Sequence, residues 1–208
     1  MRVLPTFISF CLLTLFTFQS QAYGYVKSTK NTGYLEVGFG ATQFDFVDKV
    51  LTDYEIAPSP NLKFLLGGRV GRSQHTWFEF GYAYNGALKT EDNTAANDIV
   101  TTYRSQSISM GLKFTTAPNK PVSAFVRAGG GRLMQEVREE VFTSSSSIQL
   151  SNIYETSLTN HLYGGAGINF ALGRNARLGV EAQQMQYTFE NTTFSDMSLM
   201  MTFTRYIK

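Results

Sequence analysis

The chain has few of the residues that disulfide-stabilised proteins, nucleic-acid-binding proteins and helical membrane proteins require. Its only cysteine is Cys11, and charged residues make up 16 % of the sequence, below the ~25 % of ordinary soluble domains. A net charge of +2 gives no basic footprint for nucleic acid. After residue 22, no run approaches the ~18 apolar residues that a membrane-spanning helix needs. If the chain enters a membrane, it must do so as a closed β-barrel.

The first 22 residues predict a cleaved signal peptide. Arg2 supplies the positive start, Val3–Phe18 is an apolar run, and Ser20, Gln21 and Ala22 match the small-x-small cleavage pattern. A single membrane-anchoring helix is the alternative, but the run is short for a span and a polar tail follows it. Because Cys11 lies within this segment, the mature chain is predicted to contain no cysteine.

The remaining sequence alternates between apolar residues and small, polar or charged ones. In Thr76–Tyr84, for example, Phe78 and Phe80 flank Glu79. A period of two over such lengths predicts β-strands. The eight predicted strands are Gly33–Thr42, Asn61–Gly71, Thr76–Tyr84, Ser105–Phe114, Val122–Gly131, His161–Leu172, Arg177–Tyr187 and Ser198–Ile207.

The connections between these strands alternate between short and long. Short turns are predicted near Arg72–His75, Thr115–Pro121 and Gly173–Ala176, and long loops at Gln43–Pro60, Asn85–Thr102 and Leu133–Ser157. The last predicted loop, Thr188–Asp196, is shorter. Long loops at one end are typical of outer-membrane barrels, in which the long set is extracellular. The predicted fold is therefore all-β, an eight-stranded antiparallel up-and-down transmembrane β-barrel. The predicted divisions are a signal peptide (1–22), a lead-in segment (23–32) and the barrel domain (33–208).

Within the predicted strands, apolar residues occupy one set of alternate positions. Charged residues and many glycines occupy the other set, which lies on the opposite face of the strand. In a membrane barrel this face is the lumen, whereas a soluble lipocalin-like barrel, the alternative fold, would place apolar residues inside. Buried charges must be paired, so we predict a structural ionic network and not a pore. Its predicted members are Glu36, Lys63, Arg69, Glu79, Lys113, Arg127 and Glu181. The predicted lipid-facing residues are Leu35, Val37, Phe39, Phe64, Phe78, Phe80, Leu112, Phe114, Ile168, Phe170, Leu199, Met201 and Phe203.

The signal peptide, the strands Gly33–Thr42 and Trp77–Tyr84, the YGGAGINF strand Tyr163–Phe170 and the loop alternation together resemble a known family. They are similar to the OmpA-like and OmpX/Ail-like small outer-membrane barrels, over nearly all of the mature chain. The resemblance implies a monomer in a Gram-negative outer membrane, surrounded by lipid and lipopolysaccharide and inserted by the barrel-assembly machinery. Members usually end on an aromatic residue, whereas this chain ends at Lys208.

The sequence offers little support for catalysis. Lipid A deacylases of this barrel type resemble one another in a His with a Ser two positions on, but here Tyr163 follows His161. We predict His161 at the outer rim, at the start of a strand, and His75 in a periplasmic turn. No cluster has metal-ligand spacing and no phosphate-binding loop is present, so no catalytic residue, metal or cofactor is predicted. A lipid-modifying barrel enzyme remains the alternative function.

The predicted long loops are rich in acidic residues. Acidic side chains outnumber basic ones in each of Gln43–Pro60, Asn85–Thr102 and Leu133–Ser157. They are either solvated loops, or a surface that binds basic partners or divalent cations bridging to lipopolysaccharide. The predicted function is a non-catalytic outer-membrane protein whose acidic loops stabilise the envelope or contact a host or surface ligand, with no nucleic-acid partner.

Overall fold

The computed structural model describes residues 31–44, 58–93, 97–116, 118, 120–143, 149–189 and 192–208. Eight antiparallel strands each pair with the next, and the last pairs with the first to close a barrel. The predicted fold class is therefore confirmed. The strands are β1 (Gly33–Gln43), β2 (Ser59–Arg69), β3 (Thr76–Asn93), β4 (Asn97–Thr115), β5 (Val122–Thr143), β6 (Gln149–Ala171), β7 (Ala176–Phe189) and β8 (Thr192–Ile207).

Three sequence predictions fall wholly or mostly outside this part of the chain. The predicted signal peptide (1–22) is not among the described residues, and neither is most of the predicted lead-in segment (23–32) or of the predicted loop Gln43–Pro60. In the ranges that are described, no helix is long and apolar enough to cross a membrane.

The barrel closes through a continuous ladder between β1 and β8. Their register runs from Gly33 opposite Ile207 to Gln43 opposite Met197, so the first and last strands leave no unpaired edge along this seam. Short turns join β2 to β3, β4 to β5 and β6 to β7 at one end. In the first of these turns Gly71 has φ 59°, a left-handed conformation that glycine adopts without a Cβ clash.

Four strands are much longer than the sequence predicted. The predicted loops Asn85–Thr102 and Leu133–Ser157 are mostly paired strand, because β3 continues to Asn93 and β5 to Thr143. Most of Thr188–Asp196 is also strand. The prediction of irregular loops was therefore wrong. Above the apolar part of the barrel the outward face no longer meets an apolar environment, so the period-two hydrophobicity that identifies strands disappears while the backbone pairing continues.

A continuous apolar belt covers the outward face of the barrel. Every residue of the predicted lipid-facing set points outward; most are exposed, and Phe170 and Met201 are half-exposed. At the upper part of the belt, several outward side chains are polar and pair with one another. The Tyr82 hydroxyl donates to Gln106 Oε1 at 3.0 Å, and Arg132 Nη1 donates to Asn160 Oδ1 at 2.7 Å. These pairs mark the upper boundary of the belt.

The parts of β3 to β6 above this boundary form one sheet, which we call the projecting sheet. It consists of Gly86–Asn93, Asn97–Ser105, Gln135–Thr143 and Gln149–Ser157. From Gln135 to Thr143, a rise of ~3.3 Å per residue extends the sheet by about 25–30 Å. The remaining four strands end close to the boundary, so the outer end of the barrel is asymmetric.

Glycines on the inward face make room for aromatic rings within the lumen. A Cβ atom at Gly67 would overlap the Tyr34 ring, and one at Gly167 would overlap the Phe125 ring. The interior of an eight-stranded barrel is only wide enough for side chains. The inward glycines therefore serve packing, as the parity of the sequence indicates.

Candidate functional site

The structure brings six of the seven predicted lumenal charges into one network at the level of the apolar belt. Lys63 Nζ lies 2.6 Å from Glu181 Oε2, and Lys113 Nζ lies 2.9 Å from Glu36 Oε2. All of these side chains are at least 95 % buried. The two lysines neutralise carboxylates that could not remain ionised alone in such an interior.

Arg127, on β5, is the centre of this network. Its guanidinium lies 2.7 Å from Glu36, 3.2 Å from Glu181 and 3.4 Å from Glu79. Glu79 has a second partner, because the Tyr34 hydroxyl donates a hydrogen bond to its carboxylate. Because the network holds three carboxylates and three cations, its formal charge is zero. We name it the ionic layer.

Aromatic and hydroxyl groups complete the surroundings of the ionic layer. Lys113 Nζ lies 4.4 Å and the Arg127 guanidinium carbon 4.9 Å from the centre of the Phe125 ring, within the range of cation–π attraction. Thr204 Oγ1 donates to Glu36 Oε2 at 3.0 Å. Phe125, which interrupts the apolar alternation of its strand in the sequence, thus packs inside the lumen against two cations.

Two details of the predicted network differ in the structure. Arg69 has the predicted inward parity, but it is the last residue of β2, is only partly buried, and forms no ion pair with any described residue. Glu79 contacts Arg127 and Tyr34 across the lumen, and not Lys63, Arg69 or Lys113, which lie on the strands adjacent to its own. The reason is that long side chains reach across the lumen, a distance that strand order does not reveal.

Below the ionic layer, the lumen is closed by aromatic rings. Tyr34, Trp77 and Tyr206 contact one another with ring centres 5.3 to 5.7 Å apart. Beside them Arg177 donates to Ser123 Oγ at 3.0 Å and to the backbone carbonyl of Lys120 at 3.2 Å. The end of the barrel that carries the short turns is therefore packed, which agrees with a lumen filled by side chains.

Above the ionic layer, the lumen contains a polar cluster and an apolar one. Asn61 Nδ2 donates to Thr42 Oγ1 at 2.8 Å and to Asn85 Oδ1 at 2.6 Å. On β7, the residues of the apolar cluster lie above Gln183. It consists of Leu133, Tyr163, Met185, Tyr187 and Phe194.

His161 occupies a different place from the predicted one. It points into the lumen from the middle of β6, with 4 % of its surface exposed, and its ring centre lies 6.4 Å from that of Tyr163. The prediction of a rim residue at the start of a strand was wrong because β6 begins at Gln149. His75 does lie in the β2–β3 turn, where its Nδ1 is 2.8 Å from the Thr115 carbonyl oxygen.

A cavity of about 570 Å³ lies at the outer end of the barrel. One wall is the inner face of the projecting sheet, where two rows of residues cross β4, β5 and β6. Phe44 directly after β1, Tyr187 on β7, and Arg104 and Thr156, which lie between the two rows on β4 and β6, line it as well. We call this cavity the vestibule. The two rows are Tyr103, Val137 and Glu155, and then Ser105, Gln135 and Ser157. Sequence reasoning missed it because Gln135, Val137, Glu155 and Ser157 were assigned to one long loop.

Tyr103 is the aromatic residue of the vestibule that lies above the apolar belt on the projecting sheet. Burial, and then the charge of Glu139, raise the pKa of its phenol. Tyr103 is therefore a neutral phenol at pH 7. It presents an uncharged aromatic ring to the vestibule.

The family of the chain follows from a match to a family model. Residues 8–204 match the outer membrane protein beta-barrel domain. The chain belongs to this family. The predicted resemblance to small outer-membrane barrels and the predicted location in the Gram-negative outer membrane are thereby confirmed. Comparison with curated proteins finds no significant match.

Solved structures share the fold at low sequence identity. Neisserial surface protein A is 13 % identical, with a TM-score of 0.53 over 84 % of this chain and 97 % of its own. Ail, the attachment invasion locus protein of Yersinia pestis, in complex with the heparin analogue sucrose octasulfate, is 13 % identical, with a TM-score of 0.49 over 85 % and 99 %. The outer membrane enzyme PagL is 17 % identical, with a TM-score of 0.44 over 84 % and 99 %.

Proposed function

We propose that this outer-membrane barrel is a non-catalytic surface protein that recognises extended polypeptide segments through its projecting sheet. The observation that carries the proposal is the continuation of β3 to β6 beyond the apolar belt. A barrel that only occupied the membrane would need no such extension. The proposal replaces the predicted acidic loops with an ordered sheet as the interacting surface.

The projecting sheet has an unpaired strand along one side. β6 pairs with β7 only from His161 toward the periplasm, so Gln149–Asn160 has no partner on its β7 side among the described strands. Such an edge is a template for pairing with another chain. Natural proteins protect edges with lysine, proline or short strands, yet Gln149–Asn160 contains no lysine or proline and a single charged residue, Glu155.

The direction of the backbone groups follows from the ladder between β5 and β6. Alternate residues form the bonded pairs of an antiparallel ladder. The Ala171 N–H donates to the Pro121 carbonyl at 2.8 Å, and the register is unbroken from there to Val141 opposite Ser151. Odd-numbered residues of β6 therefore bond to β5. Even-numbered residues such as Thr156 and Leu158 direct their N–H groups to the unpaired edge.

The test is to remove edge donors without disturbing the rest of the sheet. Proline lacks an N–H and is tolerated on strand edges, so Thr156→Pro and Leu158→Pro should block the edge. In a strain without other adhesins, we expect attachment to matrix proteins and epithelial cells to fall to the level of cells without the barrel. Thr156→Ala and Leu158→Ala are the matched controls and should attach normally.

Two measurements make this test decisive. Heat-modifiable mobility of each variant in outer-membrane fractions shows that the barrel has folded. Attachment that survives both proline substitutions, or that is absent from the wild-type protein, would contradict recognition through the edge. Equal loss in the alanine controls would assign the effect to side chains and not to backbone pairing.

The roles of the ionic layer and of the apolar belt complete the proposal. The ionic layer is buried, neutral and closed below by Tyr34, Trp77 and Tyr206, which supports a structural role and not an ion pathway. The outward apolar set supports direct contact with lipid, bordered by lipopolysaccharide at the outer boundary. We further propose export through the segment 1–22, insertion by the barrel-assembly machinery and a monomeric barrel.

A further inference from the structure

The vestibule is separate from the edge of the projecting sheet and has its own chemistry. Its volume of about 570 Å³ falls within the ~300–1,000 Å³ of small-molecule sites. Its floor is closed by Tyr187, which stacks on Phe194 with ring centres 5.6 Å apart. The vestibule is therefore a pocket that a molecule enters and leaves by the outer end of the barrel.

Charges are segregated between the two faces of the projecting sheet. By strand alternation, the side chains of Glu139 and Glu155 lie on the inner face, whereas the outer face carries both signs of charge, on Arg104, Glu136, Arg138 and Glu140. Arg104 and Thr156 also line the cavity, but each lies between two inward-facing neighbours and its side chain has outer-face parity. On the outer face Arg138 is already paired, 2.7 Å from Glu140. Among the described residues, the inward charges of this sheet are thus all negative. A positively charged ligand would be favoured in the vestibule, and an anion would be repelled.

Aromatic and neutral polar groups supply the rest of the lining. Tyr103, Phe44 and Tyr187 present ring carbons, and Gln135 and Ser157 present hydrogen-bonding groups. The Ser157 hydroxyl is buried and has no hydrogen-bond partner among the described residues. Aromatic rings beside carboxylates attract organic cations, because the face of the ring is electron-rich and the carboxylate neutralises the charge.

We propose that the vestibule binds a small organic ammonium ion. The cation lies against the Tyr103 ring and near Glu155, and its polar tail reaches Gln135 and Ser157. A bare metal ion would not use the aromatic lining, and a neutral apolar molecule would gain nothing from the carboxylates. This inference does not depend on recognition through the β6 edge.

Choline is the probe, and its neutral isostere 3,3-dimethyl-1-butanol is the matched control ligand. The full barrel is refolded in an uncharged polyoxyethylene detergent, since detergents with a choline headgroup would compete. Binding is measured by calorimetry and by saturation-transfer NMR. We expect choline to bind saturably and about tenfold more tightly than the alcohol, as cation–π and ionic contacts of this kind allow. Equal affinity for the two molecules, or no saturable choline binding, would overturn the proposal.

Variants of the two faces of the sheet locate the site. Tyr103→Leu and Glu155→Gln should each weaken choline binding about five- to tenfold, while Tyr103→Phe should retain it. Glu136→Gln, on the outer face opposite Arg104, should leave the affinity unchanged. A loss at Glu136→Gln as large as at Glu155→Gln would place choline outside the vestibule and refute the assignment.

A third ligand separates a free cation from a lipid headgroup. Glycerophosphocholine carries the same ammonium group beside a phosphate, which Glu139 and Glu155 should repel. We expect it to bind more weakly than choline. Tighter binding of glycerophosphocholine would contradict a site for free cations. Heat-modifiable mobility verifies that each variant is folded before binding is measured.

Discussion

The ionic layer within the belt and the vestibule above it share β4, β5 and β7 but differ in how their charged residues are arranged. In the ionic layer three carboxylates meet three cations and almost no surface is exposed. At the vestibule, Glu139 and Glu155 lie on the inner face of the projecting sheet by strand alternation, and the side chains of Arg104 and Arg138 have outer-face parity. Glu155 and Arg104 are both among the residues that line the cavity. We therefore expect the closed, neutral interior to contribute to stability, and we propose that the vestibule contributes to binding.

The largest difference in stability should appear when one arginine is removed from the ionic layer and another from the projecting sheet. Arg127→Leu leaves Glu36, Glu79 and Glu181 with two lysines, so we expect a loss of about 3–5 kcal/mol in unfolding free energy. Arg138→Leu removes an arginine that is 50 % exposed, and should change stability by less than ~0.5 kcal/mol. Urea titrations of the barrel refolded into lipid vesicles measure both.

Glu79→Gln provides an internal control for that result. Arg127 retains two other carboxylates, so the loss should be smaller, about 1–3 kcal/mol, the usual penalty for an imperfectly satisfied buried group. A variant that opens a conducting channel at unchanged stability would make the ionic layer a gate and would refute its structural role.

The second contrast concerns the outward face at two heights. Phe80 lies in the middle of the belt on β3, and Phe80→Arg should cost about 2–4 kcal/mol. Thr156→Arg places the same charge on the outward face of the projecting sheet, in water, and should be nearly neutral. The same urea titrations apply. Equal stability of the two variants would mean that the belt does not contact lipid.

The last prediction concerns the orientation of the barrel in the membrane, and its insertions should change stability least. A protease recognition sequence inserted between Thr143 and Gln149, at the outer end of the β5–β6 hairpin, should be cut in intact cells. The same sequence inserted at Pro118, in the β4–β5 turn, should be cut only after the outer membrane is opened. The reverse pattern, read on gels, would invert the assignment of the two ends.

Most of the barrel could be predicted from the alternation of apolar and polar residues alone. Within the belt one face meets an apolar environment and the other a crowded polar lumen, so each strand from Leu35 to Phe203 carries a period-two pattern. Above the belt this contrast disappears. Segments such as Gln135–Thr143 therefore lost the only signal that identified them as strands, and the vestibule was lost with them.

For the lumen, the sequence could predict which charged residues point inward, but not which of them contact one another. Parity identified Arg127 and Glu79 as inward, but not as partners, because they lie on strands separated by β4 and meet across the interior. Arg69 shows the opposite limit, since correct parity did not reveal that it ends its strand below the ionic layer. Pairing depends on the height of each residue along the barrel axis, which requires the register of every strand between them.

The position of Arg127 also has a consequence for how the barrel assembles. A slip of β5 by one residue against its neighbours would exchange its two faces, turning Arg127 toward lipid and Val126 and Ala128 inward. The misassembled barrel would then leave three carboxylates with only two lysines and expose a cation to the bilayer. We therefore expect the ionic layer to enforce the correct register of β5. The shifted register would be too unstable to persist, even though the backbone hydrogen bonds alone would allow it.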